Sequence, residues 1–191
     1  MTIDRLITQI RFWTFLGNGY KRASYAREKR VYAEIGEGSK IPVSLPLYPE
    51  LVRIHNNVIM HRSVKLVTHD MLNSFLTKLS DTYHFKNAET LCPIEIFDNV
   101  YIGMDTVILG NVRIGPNVII NAGSLITNDV PPNSIVGGVP AKVLGDFDKY
   151  VKLRVMKDKA IPYEFKRSGR ESIDKRTAEM AWERFDRKKD R

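Results

Sequence analysis

The chain has 191 residues, with 30 lysines and arginines against 22 aspartates and glutamates for a net charge of +8, and 43% of it is hydrophobic. That length suits one well-buried domain with appendages, and the composition is that of an ordinary folded protein. The one cysteine, Cys92, excludes an internal disulfide framework and suits a reducing compartment, and no stretch has the roughly 18 uninterrupted apolar residues of a membrane span.

Residues 1–33 read as helical, with Ile3, Leu6, Ile7, Ile10 and Trp13 on one face and Gly17-Asn18-Gly19 as a break. This segment is expected to pack as an N-terminal cap on the end of the main domain. Asp4, Arg5 and Arg11 interrupt its apolar residues and no small-residue cleavage site comes after it, so a cytoplasmic protein is expected.

A six-residue period then starts weakly at Ile35-Gly36-Glu37-Gly38-Ser39-Lys40, is blurred by the proline-rich stretch 42–49, and resumes at Ile54, Met60 and Leu66 with Val52, Val58 and Val64 as partners. It fails between Asp70 and about Pro93, which marks an insertion, and inserted segments of that length more often carry function than structure. From Ile96 it returns as Ile96, Ile102, Ile108, Ile114, Ile120 and Ile126, each followed four positions on by Val100, Thr106, Val112, Val118, Ser124 and Val130. A third register carries Asn99, Asp105, Asn111, Asn117, Gly123 and Asp129, residue types that tolerate a left-handed backbone at a turn. Val100-Tyr101-Ile102 therefore goes in, out, in, and Gly103-Met104-Asp105 turns the corner. Six residues are too few for a hairpin with its own core, but they suit one side of a coil whose turns stack as parallel sheets. Pro131-Pro132 and Gly137-Gly138-Val139-Pro140 end the coil, and the remainder reads as helical, with capping-box spacing in Ser168-Gly169-Arg170-Glu171.

Runs such as Ile102-Gly103-Met104-Asp105-Thr106-Val107 and Ile114-Gly115-Pro116-Asn117-Val118-Ile119 resemble the hexapeptide repeat of left-handed β-helix acyltransferases. The left hand comes from that resemblance, since parallel crossovers in general favour the right. The implied fold is mainly β: a left-handed parallel β-helix over 34–145 with a protruding loop at about 70–93, a helical cap over 1–33 and a basic helical tail over 146–191. Three hexapeptides make one triangular turn, so Tyr101 stacks with Ile119 and Val107 with Leu125, while Arg113 stands on the third side. Two apolar faces and one charged face point to a homotrimer, because a three-fold oligomer buries two faces of each prism.

The segment Thr68-His69-Asp70 resembles acyltransferases of the xenobiotic, maltose and capsular-sugar type, whose catalytic histidine lies beside the protruding loop; that role falls to His69. Moving an acetyl group from a thioester to a sugar hydroxyl needs a base for the hydroxyl proton, and histidine suits the task near neutral pH, contributing on the order of 10² to 10⁴ in rate. Asp70, Glu95 and Asp98 are alternatives for the group that orients the imidazole, and Asp70 and His84 are candidates for contact with the acceptor. His55 and His61 read as solvated corner residues. The stretch from Ile120 to Pro132 followed by Val136-Gly137-Gly138-Val139-Pro140-Ala141-Lys142 resembles the closing signature of the same acetyltransferases, which places Tyr101, Gly103, Gly123, Ser124, Thr127, Val136, Pro140 and Lys142 along the path of acetyl-coenzyme A. Small residues let a pantetheine arm approach the backbone, and Lys142 offers a charge to a phosphate.

The resemblance thus implies a coenzyme A dependent O-acetyltransferase acting on a sugar or polysaccharide precursor, with amino-sugar N-acetylation or a noncatalytic trimeric scaffold as alternatives. No metal is expected: the H-x4-H spacing of the metal-dependent carbonic anhydrases built on this architecture is absent. No nucleic-acid partner is expected either, because base-stacking aromatics and groove-reading motifs are missing. The basic stretches 21–30 and 149–191 read as solvated helix faces, with attraction to cofactor phosphates or to an anionic membrane surface as the open alternative.

Overall fold

The computed structural model describes residues 3–15, 17–79, 82, 84–161 and 173–187. They fall into two compact units, the first running through residue 148 and the second from 149.

The first unit opens with two helices, α1 (Ile3–Thr14) and α2 (Gly19–Glu28), joined through the break at Gly17-Asn18; the Asn18 side chain accepts from the Lys21 N–H at 3.0 Å and so caps α2. Phe12 is fully buried and meets Tyr25 edge-on with ring centroids 6.4 Å apart. The helices contact the chain at 41–47, but not by the face expected from the sequence. Ile3, Leu6, Ile7, Ile10 and Trp13 are all exposed, and α1 instead turns Arg5, Gln9 and Phe12 inward. The reason lies in the proline-rich stretch beneath, which belongs to no sheet and leaves backbone groups without ladder partners. Gln9 Nε2 donates to the Val43 carbonyl at 2.9 Å while its Oε1 accepts from the Leu45 N–H at 3.1 Å, and Arg5 donates to the carbonyls of Pro46 and Leu47. Arg22 of α2 is likewise fully buried because its guanidinium satisfies the carbonyls of Ile41 and Pro42.

The coil is built from β1 (Glu34–Ile35), β2 (Val52–Ile54), β3 (Ile59–Met60) and β4 (Lys65–Leu66), then, past the insertion containing β5 (His69–Asp70), α3 (Leu72–Leu76) and β6 (Thr90–Leu91), from β7 (Ile94–Ile96), β8 (Val100–Ile102), β9 (Val107–Ile108), β10 (Val112–Ile114), β11 (Val118–Ile120), β12 (Leu125–Ile126) and β13 (Ser134–Gly138). Successive strands go to successive sides, giving parallel sheets in the order β1-β2-β7-β10, β3-β8-β11-β13 and β4-β9-β12. The large inward residues Ile54, Met60, Ile96, Ile102, Ile108, Ile114 and Ile120 are wholly buried, and Val52, Val58, Val64, Val100, Thr106, Val112, Val118 and Ser124 close the core beside them.

The corners use the left-handed backbone at Asn57, Asn99, Asp105, Asn111, Asn117 and Gly123, with φ from 54° to 70°. Asp129 departs from this pattern: its carboxylate accepts from the Arg113 N–H at 2.7 Å, and the next left-handed corner is Asn133, which the six-residue count skips. One edge carries a side-chain ladder, Asn57 to Asn99 at 2.9 Å, Asn99 to Asn117 at 3.1 Å and Asn117 to Asn133 at 2.8 Å. At Gly103 a Cβ would come within 2.5 Å of the Ala122 backbone nitrogen in the neighbouring turn, so only glycine permits that stacking distance.

The insertion leaves the coil register intact. Ile54 pairs with Ile96 across 42 positions where Ile96 pairs with Ile114 across 18, so 24 residues leave the coil and return to it. Its base is the antiparallel pair β5–β6, with His69 opposite Leu91 and Asp70 opposite Thr90.

At the closing end the expected passage from coil straight to helix is not what forms. β13 turns back into β14 (Ala141–Asp146), which pairs with it antiparallel, and only then does α4 (Phe147–Lys159) begin. The second unit also contains α5 (Lys175–Asp186), capped by Asp174, whose carboxylate accepts from the Thr177 N–H at 2.9 Å. The capping box expected at 168–171 lies outside the described residues. Among the described residues no helix is long and apolar enough to cross a membrane.

Ile108 is fully buried in the middle of its ladder, paired with Leu66 on one side and Ile126 on the other. Ile108→Ala is expected to lower unfolding free energy by about 2–5 kcal/mol, read as a shifted denaturant midpoint; a loss under about 0.5 kcal/mol would show that the core collapses around the gap.

Candidate active site

His69 stands where the chain leaves the coil, on the first strand of the insertion. Its ring lies edge-on to Tyr48, with centroids 5.7 Å apart at 86°. Tyr48 is itself fixed at both ends: its N–H donates to Thr68 Oγ1 at 3.1 Å, and its hydroxyl donates to Glu89 on the returning arm of the insertion at 2.8 Å. The hydrogen bond to the Glu89 carboxylate, helped by desolvation, pushes the Tyr48 hydroxyl pKa up, so it remains a donor through the neutral range. Tyr48 precedes Pro49 in the aperiodic proline-rich stretch, and nothing in the sequence around it marks a role.

His69 Nδ1 is buried and no group among the described residues hydrogen-bonds to it. Each carboxylate weighed as its orienter is engaged elsewhere. Asp70 accepts from the Leu72 N–H at 2.8 Å at the start of α3, Asp98 accepts from the Asn56 N–H at 2.7 Å, and Glu95 lies 3.4 Å from His55 and 3.3 Å from Arg113. The ring that packs against this imidazole is that of Tyr48. His84 is exposed on the insertion. Cys92 is buried at the insertion's return to the coil, its thiol donating to the Thr90 carbonyl at 3.4 Å and its pKa pushed up chiefly by burial, which keeps it protonated and a poor nucleophile.

The residues placed on the cofactor path occupy the later turns. Tyr101 is half-exposed on the outer face of β8, in register with Ile59 and Ile119. Gly123 has φ +70° and open space where a side chain would stand. Thr127, Val136 and Lys142 come together around a cleft of about 50 Å³ between β12 and the closing hairpin, where Gly137 pairs with Lys142. Pro140 is exposed at the tip of that hairpin. Two members point inward: Val136 belongs to the core, and the buried Ser124 hydroxyl donates to the Asn121 carbonyl at 2.6 Å, so both offer a ligand only backbone. His69 comes after β4, and Thr127 comes after β12 two strands further along the same sheet, a separation of about 10 Å along the coil.

The third face is charged. Arg53, Glu95 and Arg113 stack in register and line a groove of about 510 Å³ with Glu50, Asn111 and Asp129. His55 is not a merely solvated corner: its ring stacks on Phe97 at 5.0 Å and 11°. His61 lies with Nδ1 2.8 Å from Ser63 Oγ. Desolvation works to raise the Glu95 pKa, but hydrogen bonds from His55 and Arg113 and the charge of Arg53 outweigh it and hold the carboxyl below the usual glutamate value. Among the described residues no group of three or more His, Cys, Asp or Glu could hold a metal ion.

The coil is a repeat of a known class. Residues 93–128 match the bacterial transferase hexapeptide (six repeats) family model, and the fold is the left-handed parallel β-helix. Among curated relatives, the chain is 38% identical over 108 residues to a galactoside O-acetyltransferase from Escherichia coli (strain K12), covering 56% of this chain and 50% of the relative. It is 48% identical over 52 residues to a 2,3,4,5-tetrahydropyridine-2,6-dicarboxylate N-acetyltransferase from Staphylococcus aureus (strain JH9), covering 27% of this chain and 22% of the relative. The chain therefore spans half the length or less of these relatives. Among solved structures, a maltose O-acetyltransferase from Clostridium difficile 630 superposes with TM-score 0.54 at 22% identity, covering 73% of this chain and 82% of that one. A hexapeptide-repeat containing acetyltransferase from Vibrio cholerae gives 0.51 at 24%, covering 73% and 86%. Both share the fold.

Because the folded chain favours ionised Glu95, the stability this group contributes is present above the ordinary glutamate pKa and is lost as pH falls through the lower folded value. Glu95→Gln is expected to be less stable than the parent at neutral pH, with the gap closing in acid; parallel denaturation midpoints across that range read it, and a constant gap would assign the effect to packing. For Tyr48, replacement by Phe keeps the ring against His69 while Ala removes it. The setting of the His69 ring is expected to survive Tyr48→Phe and to be lost in Tyr48→Ala, read from the His69 imidazole resonances by NMR with the melting temperature monitored beside both.

Proposed function

We propose that this chain is an acetyltransferase that moves the acetyl group of acetyl-coenzyme A to a hydroxyl of a sugar, with His69 as the general base. The observation that carries the reading is the setting of His69: an imidazole at the root of the insertion, packed against the ring of Tyr48, with Nδ1 buried, which assigns Nε2 to the acceptor in this reading. The relative named a galactoside O-acetyltransferase supplies the substrate class.

The chemistry then runs on groups of this chain. As the acceptor oxygen attacks the thioester carbonyl, its proton passes to His69 Nε2, and backbone N–H groups at the corners meet the developing oxyanion. Collapse of the tetrahedral intermediate breaks the carbon–sulfur bond, and the departing thiolate takes the proton back from the imidazolium. In this reading acetyl-coenzyme A runs along the coils between two subunits: the pantetheine arm passes Tyr101, Gly103 and the open backbone at Gly123, and the nucleotide end reaches Thr127, Pro140 and Lys142. Ser124 and Val136 shape that path from inside. Asp70 shapes the loop beside the acceptor through its bond to Leu72, and His84 stands exposed where an acceptor approaches.

The working unit in this reading is a homotrimer. Ile59, Tyr101 and Ile119 form one outward row and Val107 and Leu125 another, and neighbours covering both rows remove them from water.

His69→Ala is expected to lower acetyl transfer by about 10² to 10⁴ while trimer mass and acetyl-coenzyme A binding stay unchanged, measured by thiol release, light scattering and calorimetry. Activity within a few fold of the parent would overturn the base assignment. Lys142→Ala is expected to weaken acetyl-coenzyme A binding by about tenfold without altering the fold; parent protein that binds no acetyl-coenzyme A would overturn the activity itself and favour a scaffold. Transfer to amino sugars in preference to hydroxyl acceptors would redirect the substrate class.

A further inference from the structure

The face of α1 that the structure leaves uncovered is its apolar one. Ile3, Leu6, Ile7, Ile10 and Trp13 form a continuous stripe with relative exposures of 77, 45, 49, 49 and 63%. They are not exposed by fraying, because the opposite face is tied down by Phe12 in the core and by Arg5 and Gln9 on the carbonyls of 43–47. A rigid helix showing five large apolar side chains to water is an unfavourable arrangement for a chain that acts in solution alone.

What surrounds the stripe indicates its occupant. Arg11 is exposed along its flank, and exposed Arg62 shares with Trp13 a cleft of about 290 Å³ at the end of the helix. Asp4 is the acidic residue of α1, against Arg5 and Arg11, and the chain as a whole carries +8. An apolar face ending in tryptophan and bordered by arginines is the pattern of a helix lying in the interface of an anionic bilayer, its rings at headgroup level and its cations toward the lipid phosphates.

We infer that α1 is a membrane-surface docking element, placing this protein on anionic lipid through Ile3, Leu6, Ile7, Ile10 and Trp13 with Arg11 and Arg62 at the rim. The inference stands on α1 and does not need the trimer or the acetyl transfer to be correct.

The test is flotation of the full-length protein with phosphatidylcholine vesicles with and without phosphatidylglycerol, beside Ile7→Glu/Ile10→Glu, the milder Ile10→Ser/Trp13→Ser, and Trp182→Glu/Phe185→Glu in the second unit. Circular dichroism and acetyl-coenzyme A binding establish that each variant is folded, and they report on the acetyltransferase reading separately. Expected is flotation that needs the anionic lipid, weakens with salt, falls at least about tenfold in both α1 variants and persists in the Trp182→Glu/Phe185→Glu variant. No flotation of the parent would overturn the inference, as would flotation that the α1 variants retain. Loss of oligomeric mass in the α1 variants without loss of flotation would assign the stripe to a second copy of the chain and also overturn it.

Discussion

The whole first unit depends on one condition: each short side of the coil must hand the chain to the next side without losing the vertical alignment of its inward residues. Asparagine, aspartate or glycine in the left-handed region makes that hand-over, at Asn57, Asn99, Asp105, Asn111, Asn117, Gly123 and Asn133. The cost of that backbone conformation is offset along one edge by the amide ladder from Asn57 through Asn99 and Asn117 to Asn133, each side chain binding the one in the next turn. With the corners fixed, isoleucine stacks on isoleucine, and outward residues fall into rows whose chemistry differs from side to side.

Because the period is a property of the chain itself, most of this was legible from residue types alone. Spacing identified the buried residues one by one and the row of Arg113 apart from the rows of Tyr101 and Val107. What remained hidden depended on residues outside the period. The stripe on α1 was visible, but its direction was set by stranded carbonyls at 43–47 that only a folded backbone reveals. Asp129 looks like another corner residue until its carboxylate is found on the Arg113 amide. Past the last repeat, Ala141–Asp146 carries too little alternation to announce a strand, and it becomes one because β13 offers it an open edge.

The site shows the same division. His69 enters the proposed site through the family resemblance, yet the ring packed against it comes from a different stretch, since Tyr48 reaches it from the proline-rich segment and is clamped in turn by Glu89. Three parts of the chain that share no motif meet at this one ring. Asp70, the carboxylate next to His69 in sequence, and Asp98 are instead spent on loop and corner geometry, so adjacency is a poor guide to what lies against the imidazole.

The reversed strand β14 has a consequence for the company the molecule keeps. A stack of parallel strands has no inherent stopping point, and its last exposed edge is a template on which another chain can add in the same direction. In the sheet that ends with β13, that edge is taken by the chain's own next segment running the opposite way, with a break in pairing between Ile135 and Val136 that disturbs the ladder further. At the other end the two helices sit where a preceding turn would dock. That sheet is thus finite by construction, and a second copy of the chain cannot extend it in register past β13.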